Sequence, residues 1–223
     1  MSATTPSKTI KVFLASSDEL AEERVRFGDF IRQLDDMYEI RGYRIKLYKW
    51  EDLPSGDDGR PKQDEYNDKV RECDMFVGLF HTKAGEFTLE EYDTAKNTQK
   101  ASGKPTLYVF CREVKDGEQE EQSLKEFKAK LLQDIRHYWN KYSSSDSLQL
   151  QFLLQLLKVE NSHWGDLKIE NGQVRFGEME IAQMGNLPFA AANKDYQRMS
   201  QRMQEIPTLV EKARLRVEKY PDD

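Results

Sequence analysis

The chain has 223 residues, 33% of them charged and 38% hydrophobic, with a net charge of -6 and two cysteines, Cys73 and Cys111. An acidic balance argues against direct nucleic-acid binding, which draws its affinity from clustered Lys and Arg. Each cysteine sits beside an apolar run that reads as a buried strand, so the expectation is a reducing compartment rather than a disulfide framework. No window approaches the roughly 18 apolar residues of a membrane span, and the N-terminus has no signal pattern, which predicts a cytoplasmic protein with no membrane contact.

The run IKVFLA at 10–15 predicts a buried strand that stops at Ser16, Ser17 and Asp18. Ser16 and Glu19 fit an S-x-x-E capping box. Phe27, Phe30, Ile31, Leu34 and Tyr38 then recur at helical spacing, so a helix follows and closes near Gly42. YRIKLYKW at 43–50 alternates with one more polar side, as a strand near a sheet edge does. Pro, Gly and Asp concentrate in 51–63, which predicts a long, mobile loop. A short helix is expected over 64–72, and DMFVGLF at 74–80 has the apolar continuity of a central parallel strand. A helix over about 88–101, closed by Gly103, leads to a fourth strand, TLYVFC, at 106–111.

Beyond Cys111 the alternation stops. Residues 123–138 read as a helix, 142–147 as a loop and 148–159 as an apolar helix. Segments 167–169 and 174–176 flank Asn171-Gly172, a strong hairpin signal, with a third short strand at 179–181. Residues 193–220 predict one bent or two consecutive helices, with Pro207 in a first turn. The expected architecture is α/β: a doubly wound, mainly parallel sheet over 8–112, then a helix-rich extension over 113–223 carrying a small hairpin. Any ligand site belongs beyond the carboxyl ends of the strands.

The most informative stretch is FHTKAGEFTLEEYDTA at 80–95, where a central strand passes through a short Gly-containing loop into a helix with adjacent carboxylates. Ala15, Ser16 and Ser17 from the first strand, and Trp50 and Glu51 from the second, reach the same sheet edge. Thr88 and Glu91 fit a T-x-x-E capping box with Phe87 and Tyr92 as its hydrophobic staple, and capping alone explains that spacing. A carboxylate near the positive end of the helix dipole would also stay ionised and could stabilise a cation. His81 at the strand end could be an acid, a base or a structural hydrogen bonder. The spacing of His and Cys predicts no metal site. Without GxGxxG, GxxxxGK[ST] or GxSxG, the Rossmann dehydrogenase, P-loop hydrolase and serine hydrolase classes drop out.

Taken in order, KVFLASSDEL, DMFVGLF, GEFTLEEYDTA and GKPTLYVF resemble the bacterial TIR-like (Toll/interleukin-1 receptor) domains of the NAD-cleaving defence type, over about 8–111. The resemblance implies a TIR- or flavodoxin-like fold and NAD+ glycohydrolase activity in antiviral defence or signalling, with NAD+ as substrate and no cofactor. It makes Glu91 the catalytic glutamate. Phe87 and Thr88 stand where the family's W-C-x-x-E has Trp and Cys, and Glu90 lies one position away. Ala15, Ser16 and Ser17 would contact the substrate, and Trp50 and Phe80 would form walls for its rings. Nicotinamide is already a cationic leaving group, so one carboxylate suffices to stabilise the oxocarbenium-like transition state. Linear and cyclic ADP-ribose products both remain open. The long 51–63 loop and the exposed, helix-rich tail predict activation by self-association, and the resemblance implies a place for a C-terminal regulatory or sensor module. The alternatives are a non-catalytic interaction module and, from the E-x-x-x-A run at Glu91 to Ala95, a nucleoside deoxyribosyltransferase-like enzyme.

Overall fold

A computed structural model describes residues 8–40, 42–52, 61–135, 139–159 and 166–187. The helices expected over 193–220, most of the 51–63 loop and residues 136–138 of the fourth helix lie outside the described residues.

Five strands form one sheet: β1 (Lys8–Ser16), β2 (Tyr43–Tyr48), β3 (Met75–Phe80), β4 (Thr106–Arg112) and β5 (Asn140–Tyr142), in the order β2-β1-β3-β4-β5. Every pairing is parallel, from Lys8 opposite Tyr43 at one side to Arg112 opposite Tyr142 at the other. This is the flavodoxin-like doubly wound order, in which the chain reverses its direction of growth between β1 and β3. The edge position expected for 43–50 is that of β2.

Helices cover both faces because side chains alternate along each strand. Val12, Leu14, Val77 and Leu79 face α1 (Ala21–Glu39) and α5 (Ser145–Val159). Phe13, Ala15, Phe76 and Phe80 face α2 (Lys62–Glu72), α3 (Glu86–Ser102) and α4 (Gln122–Ile135). α1 ends before Gly42, and α3 ends at Gly103 with φ of 79°, the left-handed conformation that glycine takes without a Cβ penalty.

The boundary expected at 112 is not where this sheet ends. β5 extends it, although three residues within a polar stretch carry little strand signal. α5 then packs Phe152 edge-on against Phe27 of α1, with ring centres 5.0 Å apart. The hairpin forms as expected, as β6 (Leu167–Glu170) and β7 (Gln173–Phe176), with Asn171 and Gly172 at φ of 51° and 76°. β8 (Met179–Gln183) completes an antiparallel sheet whose Val174, Phe176 and Ile181 join the α1–α5 core. The described residues, through Leu187, belong to one compact unit.

Candidate active site

A cavity of about 650 Å³ opens where the chain leaves the carboxyl ends of β1, β2 and β3. Ser16, Ser17 and Asp18 line it after β1, Trp50 after β2, and Lys83, Gly85 and the first turns of α3 after β3. Pro61 to Gln63 and Tyr66, at the start of α2, form the remaining side. It lies at the β1/β3 reversal, where doubly wound folds hold ligands, and its size suits a small organic molecule.

The α3 wall carries Glu91. The helix buries Thr88, Glu91, Tyr92, Ala95 and Lys96, a spacing of three and four residues that turns Glu91 inward and Glu90 away. Glu91 is 6% exposed and lines the cavity, yet its carboxylate receives no hydrogen bond from any described residue. Glu90 accepts a bond from the Asn67 amide of α2 at 2.8 Å and is not in the cavity wall.

The expected capping box is not formed. Gly85, extended at φ of -68° and ψ of 145°, precedes the first helical residue, so Thr88 and Glu91 are already inside the helix. The staple fails for the same reason: Phe87 is 67% exposed at the rim while Tyr92 is buried against Phe76 and Phe127. Without the dipole or a hydrogen bond to hold its charge, Glu91 does not stay ionised as expected. Burial pushes its pKa up, the neighbouring Glu90 adds to the rise and Arg24 opposes it, leaving a value of about 8.

The opposite wall is built around a bonded charge. Arg24 of α1 is 2% exposed; its Nε donates to Glu51 at 2.6 Å, and its Nη1 donates to Ser16 Oγ at 2.8 Å and to the Ser17 carbonyl at 2.9 Å. Its guanidinium carbon also lies 5.4 Å from the centre of the Trp50 ring, within cation–π range. One side chain thus ties the exit of β1 to the exit of β2. Because Ser16 Oγ accepts from Arg24, its own proton is free to be donated to a ligand. Ser17 Oγ donates to Glu19 at 3.0 Å, which leaves its lone pairs for a ligand hydroxyl.

Glu19 fastens the third exit. Instead of capping with Ser16, it accepts from Thr82 Oγ1 at 2.5 Å and from the Thr82 and Lys83 amides at 3.3 Å each. Burial raises its pKa, but these bonds and that from Ser17 outweigh the effect and hold it below the usual carboxylate range. His81 is buried and not among the cavity's lining residues; its Nδ1 is 3.8 Å from Glu19 and its Nε2 is 3.1 Å from Glu118. The Nε2 contact is short but poorly aligned, an ion-pair distance without a hydrogen bond.

Of the residues expected at the site, Glu91, Ser16, Ser17 and Trp50 converge on the cavity, and Ala15 and Phe80 do not. Ala15 falls on the side of β1 that faces α2, α3 and α4. The Phe80 ring folds back over Gly78, where a Cβ would lie 3.0 Å from it, and packs on Phe127 of α4 with ring centres 4.7 Å apart. Both are core residues. Arg24, Gln63 and Tyr66 were not anticipated. Arg24 had a readable signal: it interrupts the stripe of Leu20, Phe27, Ile31, Leu34 and Tyr38, a position that buries whatever occupies it. Gln63 Nε2 is buried without a hydrogen-bond partner among the described residues, and Gln63 belongs to the cavity wall.

No family model matches the chain, and no curated protein matches it. Among solved structures, it is similar to a Clostridium botulinum CMP N-glycosidase, BcmB, at 17% identity over 67% of this chain and 98% of that one, with a TM-score of 0.39. It is also similar to oxidised flavodoxin 1 from Bacillus cereus, at 12% identity over 70% of this chain and 100% of that one, with a TM-score of 0.37. Neither likeness bears on what this chain binds.

Proposed function

We propose that the chain is an N-glycoside hydrolase that cleaves the bond between nicotinamide and ribose in NAD+, with Glu91 as its catalytic carboxylate. One observation carries this reading: a carboxylate buried in the wall of a ligand-sized cavity, with no hydrogen-bond partner among the described residues, at the β1/β3 reversal. Structural carboxylates are bonded when buried, so an unbonded one costs stability and is best explained by what it does to a ligand.

In the proposed reaction the C1′–N bond breaks, and nicotinamide leaves with the bonding pair as a neutral molecule. Water adds to C1′ and releases a proton, giving ADP-ribose. Glu91 stabilises the positive charge that develops on the ribose, and the cationic substrate itself favours ionisation of Glu91 by lowering its pKa. Ser16 and Ser17 offer one donor and one acceptor to sugar hydroxyls, and Trp50 and Phe87 offer ring faces at the rim.

A second reading is favoured by the raised pKa of Glu91. A protonated Glu91 is a general acid for a nucleotide whose uncharged base needs a proton to leave. The pH dependence of kcat/KM separates the two. Nicotinamide release from NAD+ is expected to rise with pH and level off above about 8, since the ionised carboxylate is the active form. A general acid gives the reverse, a rate that falls above that pH. The assay covers a range of protein concentrations, so that activation by self-association is included. Absence of nicotinamide release throughout overturns the NAD+ reading.

A further inference from the structure

We propose that Thr88 is a specificity-determining residue beside Glu91: its hydroxyl, unclaimed within the fold and set in the cavity wall, pairs with a ring hydroxyl of the substrate's sugar, so that the site takes ribosides in preference to deoxyribosides. The inference rests on the reading of Glu91 given above and adds the class of sugar that the site selects.

Thr88 is 4% exposed and lines the cavity, and its hydroxyl has no hydrogen-bond partner among the described residues. The other threonines and the serine of α3 are committed. Thr94 Oγ1 donates to Asn67 Oδ1 at 3.2 Å, Thr98 Oγ1 to the Thr94 carbonyl at 2.8 Å and Ser102 Oγ to the Thr98 carbonyl at 2.9 Å. A buried hydroxyl without a bond costs free energy, and helical hydroxyls ordinarily bond a carbonyl one turn back. Thr88 departs from that pattern in the turn of α3 that borders the cavity.

Glycine at 85 keeps the approach to this hydroxyl open. A Cβ there would lie 3.7 Å from Thr88 Oγ1 and 3.7 Å from Ser17 Cβ, so its absence leaves a gap between the β1 exit and α3. Ser17, Gly85, Thr88 and Glu91 all line the cavity. Thr88 and Glu91 stand three residues apart on one helix face, a spacing that puts Cβ atoms about 5–6 Å apart. Two such side chains can hold neighbouring hydroxyls of one furanose ring, the carboxylate accepting from one and the threonine hydroxyl bonding the other. Polar groups arranged for a substrate hydroxyl discriminate against the analogue that lacks it, because they are then left unpaired.

The test pairs a change in the protein with a change in the substrate. Full-length wild type, Thr88→Val and Thr88→Ser are compared by nicotinamide release from NAD+ and from its analogues lacking the 2′- or the 3′-hydroxyl of the nicotinamide ribose. Valine keeps the shape and deletes the hydroxyl, so kcat/KM for NAD+ is expected to fall about tenfold to a hundredfold, and discrimination against one of the analogues to shrink by the same factor. Serine is expected to recover both. Because the fold does not use this hydroxyl, Thr88→Val is expected to melt no lower than wild type, and Thr88→Ala takes its place if it fails to fold. A merely structural Thr88 lowers turnover of all three substrates by one common factor, so unchanged discrimination against both analogues overturns the inference and leaves the NAD+ reading standing. Calorimetric titration with ADP-ribose separates the opposite case. If no form releases nicotinamide, the NAD+ reading falls; ADP-ribose binding that is weakened in Thr88→Val and kept in Thr88→Ser then upholds the inference, and equal or absent binding ends it.

Discussion

The two long walls of the cavity are built on opposite principles. On the β1–β2 side the buried charges are bonded: Arg24 bonds Ser16, Ser17 and Glu51, and Glu19 bonds Ser17, Thr82 and Lys83. On the α3 side Glu91 is as deeply buried but has no hydrogen bond from a described residue. The bonded wall behaves as scaffold. The unbonded carboxylate is a local sacrifice of stability, of the kind found where a protein keeps a group available for chemistry. Adjacent residues repeat the contrast, since Glu90 is bonded to Asn67 and turned out of the site.

The sharpest way to break this comparison is Glu91→Gln. Glutamine keeps size and polarity and removes the charge, so nicotinamide release is expected to fall by roughly two to three orders of magnitude. Undiminished release would make Glu91 a structural residue like those opposite.

The same substitution has an unusual stability signature. Burial raises the pKa of Glu91 in the native state to about 8 from 4.5, so the contribution of Glu91 to stability falls as pH rises across that range and is flat beyond. Glu91→Gln escapes that loss. It is expected to be more stable than wild type at pH 8, by an amount on the order of a few kcal/mol, and close to wild type at pH 4. Denaturant unfolding at the two pH values checks this, and a variant less stable at pH 8 would contradict it.

Glu19→Ala, on the bonded side, should behave in the ordinary way and cost about 2 kcal/mol, as the partly buried hydroxyl and amide of Thr82 lose their acceptor. Its pKa is lowered in the folded state, so the contribution is present above the normal carboxylate range and lost as pH falls through the folded value. The difference in unfolding free energy between wild type and Glu19→Ala should therefore shrink in acid. Glu90→Gln is expected to have the smallest effect. Turnover should stay within about twofold of wild type, with the pH profile displaced slightly toward acid as one negative neighbour of Glu91 disappears.

Much of the frame was legible because local chemistry and tertiary packing agree there. IKVFLA and DMFVGLF are apolar enough to be central strands, and Asn171-Gly172 tolerates the positive φ that its turn requires. The site was legible only in part, for three physical reasons. The T-x-x-E spacing at Thr88 mimics a helix start, whereas the chain begins the helix at Glu86 after an extended Gly85. Phe80 ends a strand near the cavity, but its parity along β3 assigns it to the α4 side. Arg24 was passed over because a charged residue reads as surface, although its place in the stripe of α1 required burial.

The packing of α5 sets how this molecule can be cut. A fragment stopped at residue 112 keeps all the cavity-lining residues but strips Phe152, Leu153, Leu156 and Leu157 from the aromatic face of α1, together with the edge strand that covers β4. Such a fragment presents Phe27 and Phe30 to water and offers an unpaired strand edge to its neighbours, the combination that leads to aggregation. A transplantable unit that keeps the candidate site therefore extends through Leu187, and its minimum size is dictated by a helix that does not line the cavity.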